Sequence, residues 1–187
     1  MRFVVVYDAC VLYPAPLRDL LLRLAMTGLF AARWTERIHD EWIYNLVLRQ
    51  PELGEPLKRT RELMNAAVPD CLVTGYESLV EGLVLPDPND RHVLAAAIRA
   101  GAQAIVTFNL RDFPIDALTP YDIEPIHPDA FVELQMDLHL QETLSAAKRH
   151  RECLRNPPKS VGEFLDTLAA QGLLVTAERL RDYRDLI

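Results

Sequence analysis

Glycine is scarce in this chain, at 7 of 187 residues. No G-x-G-x-x-G occurs, nor any glycine-rich loop ending in Gly-Lys-Ser/Thr, which excludes nucleotide chemistry by those phosphate-cradling loops. Cysteine is scarcer still: Cys10, Cys71 and Cys153 are odd in number, far apart and form no C-x-x-C pair. A disulfide scaffold is excluded, and free thiols in a reducing compartment are expected. No apolar run approaches the ~20 residues that span a bilayer. The stretch before Asp8 is too short for a secretory signal, so a cytoplasmic protein without a membrane partner is expected. Basic charge is also short. With 20 Lys and Arg against 27 Asp and Glu, the formal net charge is −7. That disfavours a bulk-basic nucleic-acid binder. It leaves open a nucleic-acid enzyme whose bound cations offset clustered carboxylates.

What is present is ordinary globular composition, half hydrophobic and a quarter charged. A chain of this size buries roughly 70% of its extended surface on folding and needs no staple. Phe3–Tyr7 is a short β-branched and aromatic run bounded by Asp8, as expected of a strand buried on both faces. Pro14 and Pro16 open a helix that Gly28 closes, with Leu17, Leu20, Leu21 and Leu24 at helical spacing. Phe30–Trp34 is a second strand, and Thr35 caps the next helix. The segment 51–56 breaks the chain before a helix over 57–67. Cys71–Thr74 is a third strand candidate, with a short helix within 75–84. Asp87-Pro88-Asn89-Asp90 feeds a helix that Gly101 ends. Gln103–Thr107 is a buried strand, 114–120 a loop, and Ile123–Ile126 the last strand. Strands alternating with helices predict a parallel α/β sheet.

After Ile126 only helix signals remain. One pattern starts at Pro128 and runs to about Arg155, where Asn156-Pro157-Pro158 stops it. Ser160 starts another, Gly172 interrupts, and Thr176 starts the last. The expected organisation is an α/β domain over 1–126 and a helical extension over 127–187.

Active sites of open α/β sheets form beyond the carboxyl ends of the strands, where helix N-termini share the same edge. Asp8 lies at the end of the first strand, and Asn109 and Asp112 lie just past another. Asp87 and Asp90 open a helix, and Glu41 follows the second strand. Crowded carboxylates raise one another's pKa unless a cation neutralises them. Mg²⁺ takes oxygen ligands of this kind and keeps several waters. Each acid also has a plain structural role open to it. Asp87, Asp90 and Asp8 suit helix caps, Asp112 a turn, and Glu41 a solvated helix face. Joint placement is the argument for a site. Arg33, Arg37, Arg91 and Arg111 flank these acids and suit phosphate contacts or surface ion pairs. Thr107 suits either an ordinary strand position or a hydrogen bond to an acid. His39 and His92 are expected to pack, and Cys10 to be an inert thiol.

Two segments carry a family resemblance. They are Asp87-Pro88-Asn89-Asp90-Arg91-His92-Val93-Leu94-Ala95-Ala96-Ala97 and Ala104-Ile105-Val106-Thr107-Phe108-Asn109-Leu110-Arg111-Asp112-Phe113-Pro114. With Val6-Tyr7-Asp8 and the run from Trp34 to Glu41, the chain resembles a PIN-domain ribonuclease of the VapC type, found as toxins of toxin–antitoxin modules. The resemblance covers about 1–126, and the tail resembles extensions of longer VapC-like proteins. It implies a three-layer α/β/α fold with a mostly parallel sheet. It also implies Mg²⁺ or Mn²⁺ held by Asp8, Glu41, Asp90 and Asp112, with Asp87 auxiliary. Asn109 stands where many members have Asp, which leaves the fourth ligand between Asp112 and Asn109. The implied activity is hydrolysis of RNA by a metal-activated water, leaving 5′-phosphate and 3′-hydroxyl ends. Expected partners are RNA, a cognate antitoxin and a second copy in a homodimer. A homodimer would also use the surplus of leucines at 20, 21, 22 and 24. Two other readings stand beside this one: an inactive PIN fold that only binds RNA or protein, and a metal-dependent phosphatase.

Overall fold

A computed structural model describes residues 2–187 of the chain. The first strand, β1 (Val4–Tyr7), is the hub of a four-stranded sheet. It pairs in parallel with β2 (Ala31–Arg33) on one side and β3 (Ala104–Val106) on the other. β4 (Glu124–Ile126) adds in parallel to β3, giving the order β2-β1-β3-β4. A central strand buried on both faces has no use for alternating polar residues, which is why Val5, Val6 and Tyr7 are all fully buried. The chain leaves β1 toward β2 and later returns to β1's other side as β3. The topological switch point therefore falls between β1 and β3. Beyond their carboxyl ends lies the crevice where such sheets bind ligands.

The helices follow local signals. α1 (Ala9–Leu12) is a single turn capped by Asp8. α2 (Ala15–Met26) carries Pro16 in its first turn and ends ahead of Gly28 at φ +81°. α3 (Glu36–Arg49) is capped by Thr35, whose hydroxyl accepts from the Ile38 amide at 3.0 Å. α4 (Gly54–Ala67), α5 (Glu77–Val80) and α6 (Arg91–Ala100) complete the crossover to β3. α6 ends at Gly101 in the left-handed region, φ +60°, where a side chain would be strained. α7 (Ile115–Leu118) occupies part of the segment expected to be loop, because Leu118 is buried.

Two further expectations need correction. Cys71–Thr74 is no strand; Leu72 makes a single parallel bridge to Trp34. β2 ends at Arg33, and Thr35 already caps α3, so Trp34 alone is left to pair. The long pattern after Pro128 is two helices, α8 (Pro128–Leu138) and α9 (Leu140–Cys153), turning at His139 with φ −147° and ψ 59°. α8 packs on a later helix and α9 on α2. Apolar periodicity thus continues across a change of axis that neither glycine nor proline marks.

α10 (Val161–Ala170) starts with a reciprocal pair, Ser160 and Glu163, each capping the other's backbone. α11 (Leu174–Arg181) starts two residues before Thr176. Its own N-cap supplies no side chain. Asp129 of α8 does so instead, accepting from the amides of Val175 and Thr176 at 2.9 Å each. A cap supplied from 46 residues away leaves no local sequence signal.

The α8–α11 segment is packed into the same core as the sheet. Phe131 of α8 stands edge-on to Tyr7 of β1 and Phe30, with centroids 6.2 and 5.1 Å apart. α9 covers α2, where Leu20, Leu21 and Leu24 are buried. The leucine surplus is therefore absorbed within one chain and gives no support to a second copy. Asp129→Ala should unpair two amides in a buried setting. It is expected to cost about 1–3 kcal/mol, read as a lower urea midpoint with an unchanged slope.

Candidate active site

Asp8 is the best-held acid of the chain. It is 4% exposed, at the step from β1 into α1. Its Oδ1 accepts from the Ala9 amide at 2.6 Å. Its Oδ2 accepts from the Thr107 hydroxyl at 2.7 Å and the Cys10 thiol at 3.0 Å. The first bond is the capping role. Of the other two, the Thr107 bond comes across the switch point from just past β3, and the Cys10 bond comes from α1. Burial pushes the Asp8 carboxyl up, these three donors pull it back, and the charge of Glu41 pushes it up further. Cys10 is no nucleophile: burial, then the neighbouring Asp8 charge, drives its thiol well above the ordinary range.

Asp87 and Asp90 divide two roles that the sequence left open for both. Asp87 caps the turn Pro88–Asp90 by accepting from the Asn89 amide at 2.8 Å. Asp90 stands at the start of α6 but makes no capping bond. Its carboxylate is left to the cleft, and its carboxyl is held up to about 7. Burial is the largest cause, followed by the charges of Asp8, Asp87, Asp112 and Glu41. Five acids from four segments thus act on one point at the sheet edge.

Glu41 is set by its neighbours on α3 and α6. Arg37, one turn earlier, is 3.4 Å away. His92 Nε2 is 2.8 Å from Glu41 Oε1, though off the direction of a hydrogen bond. His92 is 1% exposed. Sequence spacing points it away from Asp90, as expected, but nothing local reveals that α6 brings it against α3. His39 does pack. It accepts from Trp42 Nε1 at Nδ1 and meets the Asn65 carbonyl oxygen through Nε2 at 2.9 Å. Trp34 Nε1 donates to the same oxygen at 2.8 Å. The network ties α3 to α4 and β2 and so fixes the helix that carries Glu41.

The acids open onto a cleft of about 680 Å³ lined by Asp8, Glu41, Asp90, Asn109 and a stripe of α3. Asp112 and Asp87 are outside its lining and reach it through their charge on Asp90. The Asn109 amide donates to Thr107 Oγ1 at 2.9 Å, which seats Asn109 at the rim. The four arginines picked from sequence do not line this cleft. Arg33 donates to the carbonyl of Ala32, Arg37 is engaged by Glu41, Arg91 has a buried Nε without a partner, and Arg111 is exposed. The arginine that lines it is Arg49, which sequence reasoning missed because it lies eight residues past Glu41.

Among the described residues, no three His, Cys, Asp or Glu side chains form a ready-made metal cage. The donor set still fits a hard divalent cation. The donors are carboxylate oxygens whose mutual repulsion raises Asp90, and Mg²⁺ asks for only one or two carboxylates with water completing its shell. No helix among the described residues is long and apolar enough to cross a membrane.

The PIN domain profile matches residues 4–111, and the VapC50 C-terminal domain profile matches 128–182. A curated Mycobacterium tuberculosis (strain ATCC 25618 / H37Rv) protein, named "Putative ribonuclease VapC50", is 37% identical over 121 residues. That alignment spans 65% of this chain and 71% of the relative. No solved structure matches the chain significantly.

The raised Asp90 has a consequence for the metal-free protein. Its folded carboxyl binds a proton more tightly than the unfolded one, whose pKa is near 4. Stability in EDTA should therefore fall as pH rises from about 4 through about 7. Asp90→Asn should flatten that fall, seen as melting temperatures that converge with wild type at pH 5 and exceed it at pH 8.

Proposed function

Because the chain belongs to the PIN-domain family, VapC-like with a helical C-terminal extension, we propose that it is a toxin-type ribonuclease that hydrolyses RNA phosphodiester bonds with Mg²⁺ or Mn²⁺. The observation that carries this reading is the convergence of Asp8, Glu41, Asp87, Asp90 and Asp112 on one edge of a parallel sheet. Asp8, Glu41 and Asp90 would hold the cation, with Asp112 or Asn109 completing the set and Asp87 contributing charge. A cation bound there supplies polarisation of a water and relief of phosphodiester charge at neutral pH.

The protein's own groups do the positioning. Thr107, Cys10 and the Ala9 amide fix both oxygens of Asp8. Arg37 pairs with Glu41, and the buried His92 packs against it from α6. Asp87 keeps its carboxylate on the Asn89 amide, which leaves Asp90 unencumbered. Arg33, Arg37, Arg91 and Arg111 lie around the acids rather than inside the cleft, where they suit the phosphates of an RNA passing over it. The cleft is bordered by the exposed Asn45, Leu48, Arg49 and Asn109. An open border of that kind favours a polymer over a small phosphomonoester. In the same reading the residues over 127–187 form a helical extension to a nuclease domain over 1–126, in a cytoplasmic toxin. It pairs with a cognate antitoxin and forms a homodimer, the commonest closed symmetry. Sedimentation at micromolar concentration checks the last point.

The deciding experiment incubates the protein with total RNA in Mn²⁺, in Mg²⁺ and in EDTA. Cleavage is expected with either cation and not in EDTA. Asp8→Asn and Asp90→Asn each remove one charge while keeping shape; Asn can keep the cap at position 8, and Asp90 makes no capping bond to lose. Both should fold and lose cleavage by at least about a hundredfold, on the scale of losing a catalytic electrostatic contact. An Asp90→Asn protein that melts normally and cleaves at the wild-type rate would refute the mechanism.

A further inference from the structure

The helical extension meets the acid edge at an aromatic ring. In sequence Phe108 separates Thr107, which holds Asp8, from Asn109, which lines the cleft. The Phe108 amide donates to the Cys10 sulfur at 3.3 Å, and the Cys10 thiol donates to Asp8. The loop beyond is built on the same residues. The Asn109 amide donates to Thr107 Oγ1 and the Asp112 amide to the Asn109 carbonyl, at 2.9 Å each. Displacing Phe108 therefore disturbs Asp8 through Thr107 and Cys10, and Asp112 through Asn109.

Two groups of the extension touch the half-buried Phe108 ring. His127, the N-cap of α8, stands edge-on to it with centroids 5.2 Å apart. Gly172 comes closer. A Cβ built on it would lie 3.1 Å from Phe108 Cε1 and 3.6 Å from Cζ. The first distance is inside the ~3.5–4.0 Å at which carbon atoms attract best, so a side chain there displaces the ring or the turn. Gly172 is also the left-handed residue that ends α10, at φ +87°. The two groups are tied to each other by Asp129. Its amide donates to His127 Nδ1 at 3.2 Å, and its carboxylate accepts from Val175 and Thr176, just past Gly172. The surface that receives Phe108 is thus braced within the extension itself.

We propose that Phe108 is a positioning residue: received by His127 and Gly172, its ring seats the 107–112 loop, so that the helical extension sets the geometry of the cation-binding acids. The proposal rests on the ribonuclease reading and gives the extension a part in it. The residues over 127–187 then support the active site directly, and the turn at Gly172 is the point where a change in the extension reaches the acids. Residues that orient metal ligands from behind govern affinity and rate without touching the ion.

The test measures, on the full chain, Mn²⁺ affinity by electron paramagnetic resonance and the rate of total RNA cleavage in Mn²⁺. Gly172→Ala and Phe108→Ala should each lower affinity or rate by about ten- to a hundredfold. Phe108→Leu, which lacks Cε1 and Cζ, should cost less than Phe108→Ala. In the Phe108→Leu background Gly172→Ala should add less than about a twofold loss, because the two substitutions act on one contact. Phe164→Leu is the control. Phe164 is buried in α10 against His150, so its loss should lower the melting temperature and leave affinity and rate unchanged. Equal losses from Gly172→Ala in both backgrounds would mean backbone strain alone and refute the seating. A matching loss in Phe164→Leu would refute it as well. If wild type binds Mn²⁺ and cleaves, and folded Gly172→Ala and Phe108→Ala do so equally, the proposal is refuted and the ribonuclease reading stands. If wild type binds Mn²⁺ without cleaving, that reading fails and the affinities still decide the seating. If it does neither, both fall. Should Gly172→Ala fail to fold, Phe108→Ala against Phe164→Leu decides.

Discussion

A carboxylate that is 4% exposed, Asp8, sets the terms for the rest of this structure. Burying a charge is costly unless hydrogen bonds or counter-charges compensate. Here compensation comes from three donors on two sides of the switch point. Thr107 follows β3, Ala9 and Cys10 begin α1, and Asp8 itself follows β1. The hydrogen bond between Thr107 and Asp8 therefore joins the two strands at the place where the sheet opens. Once Asp8 is held there, the charge of Glu41 raises its cost further, and the acids converge beside it on Asp90. The proposed shared cation would account for an arrangement that a cap does not need.

Packing beneath the site keeps that arrangement from relaxing. The chain Trp42, His39, Asn65 and Trp34 fixes α3, and α3 carries both Glu41 and the stripe toward Arg49. Arg18 ties the α1–α2 corner to Trp42 and so carries Tyr13 along with Asp8. On the opposite side, Phe131 inserts an edge into the Tyr7 and Phe30 rings. The C-terminal helices are thus part of the core that supports β1. α9 closes over the leucines of α2 for the same reason, which is why an apolar surplus in sequence need not mean a second chain.

The sheet was legible in sequence because its signals are local: short β-branched runs ending at polar residues, with capping chemistry at Asp8, Thr35 and Asp87. Asp8 was legible because it follows the first of those runs, and Asp87 and Asp90 because they open a helix. What failed to show is what depends on distant partners. The cap of α11 comes from Asp129, the turn at His139 comes from a change of packing partner, and His92 of α6 meets Glu41 of α3 only in the folded chain. Cys71–Thr74 has strand composition but finds a single pairing position at Trp34. Arg49 went unnoticed for the opposite reason. It lies far from any acid in sequence, and helical geometry returns it to the same face two turns later.

The central claim is that the clustered acids exist to share a divalent cation. Its most direct test is titration of Mn²⁺ into the protein while free Mn²⁺ is followed by electron paramagnetic resonance. Saturable depletion of the free signal is expected for the wild type at one or two ions per chain. It should be lost in Asp8→Asn and in Asp90→Asn proteins whose melting curves show them folded. Absence of saturable binding by the wild type, or equal binding by the folded Asp90→Asn protein, would contradict it.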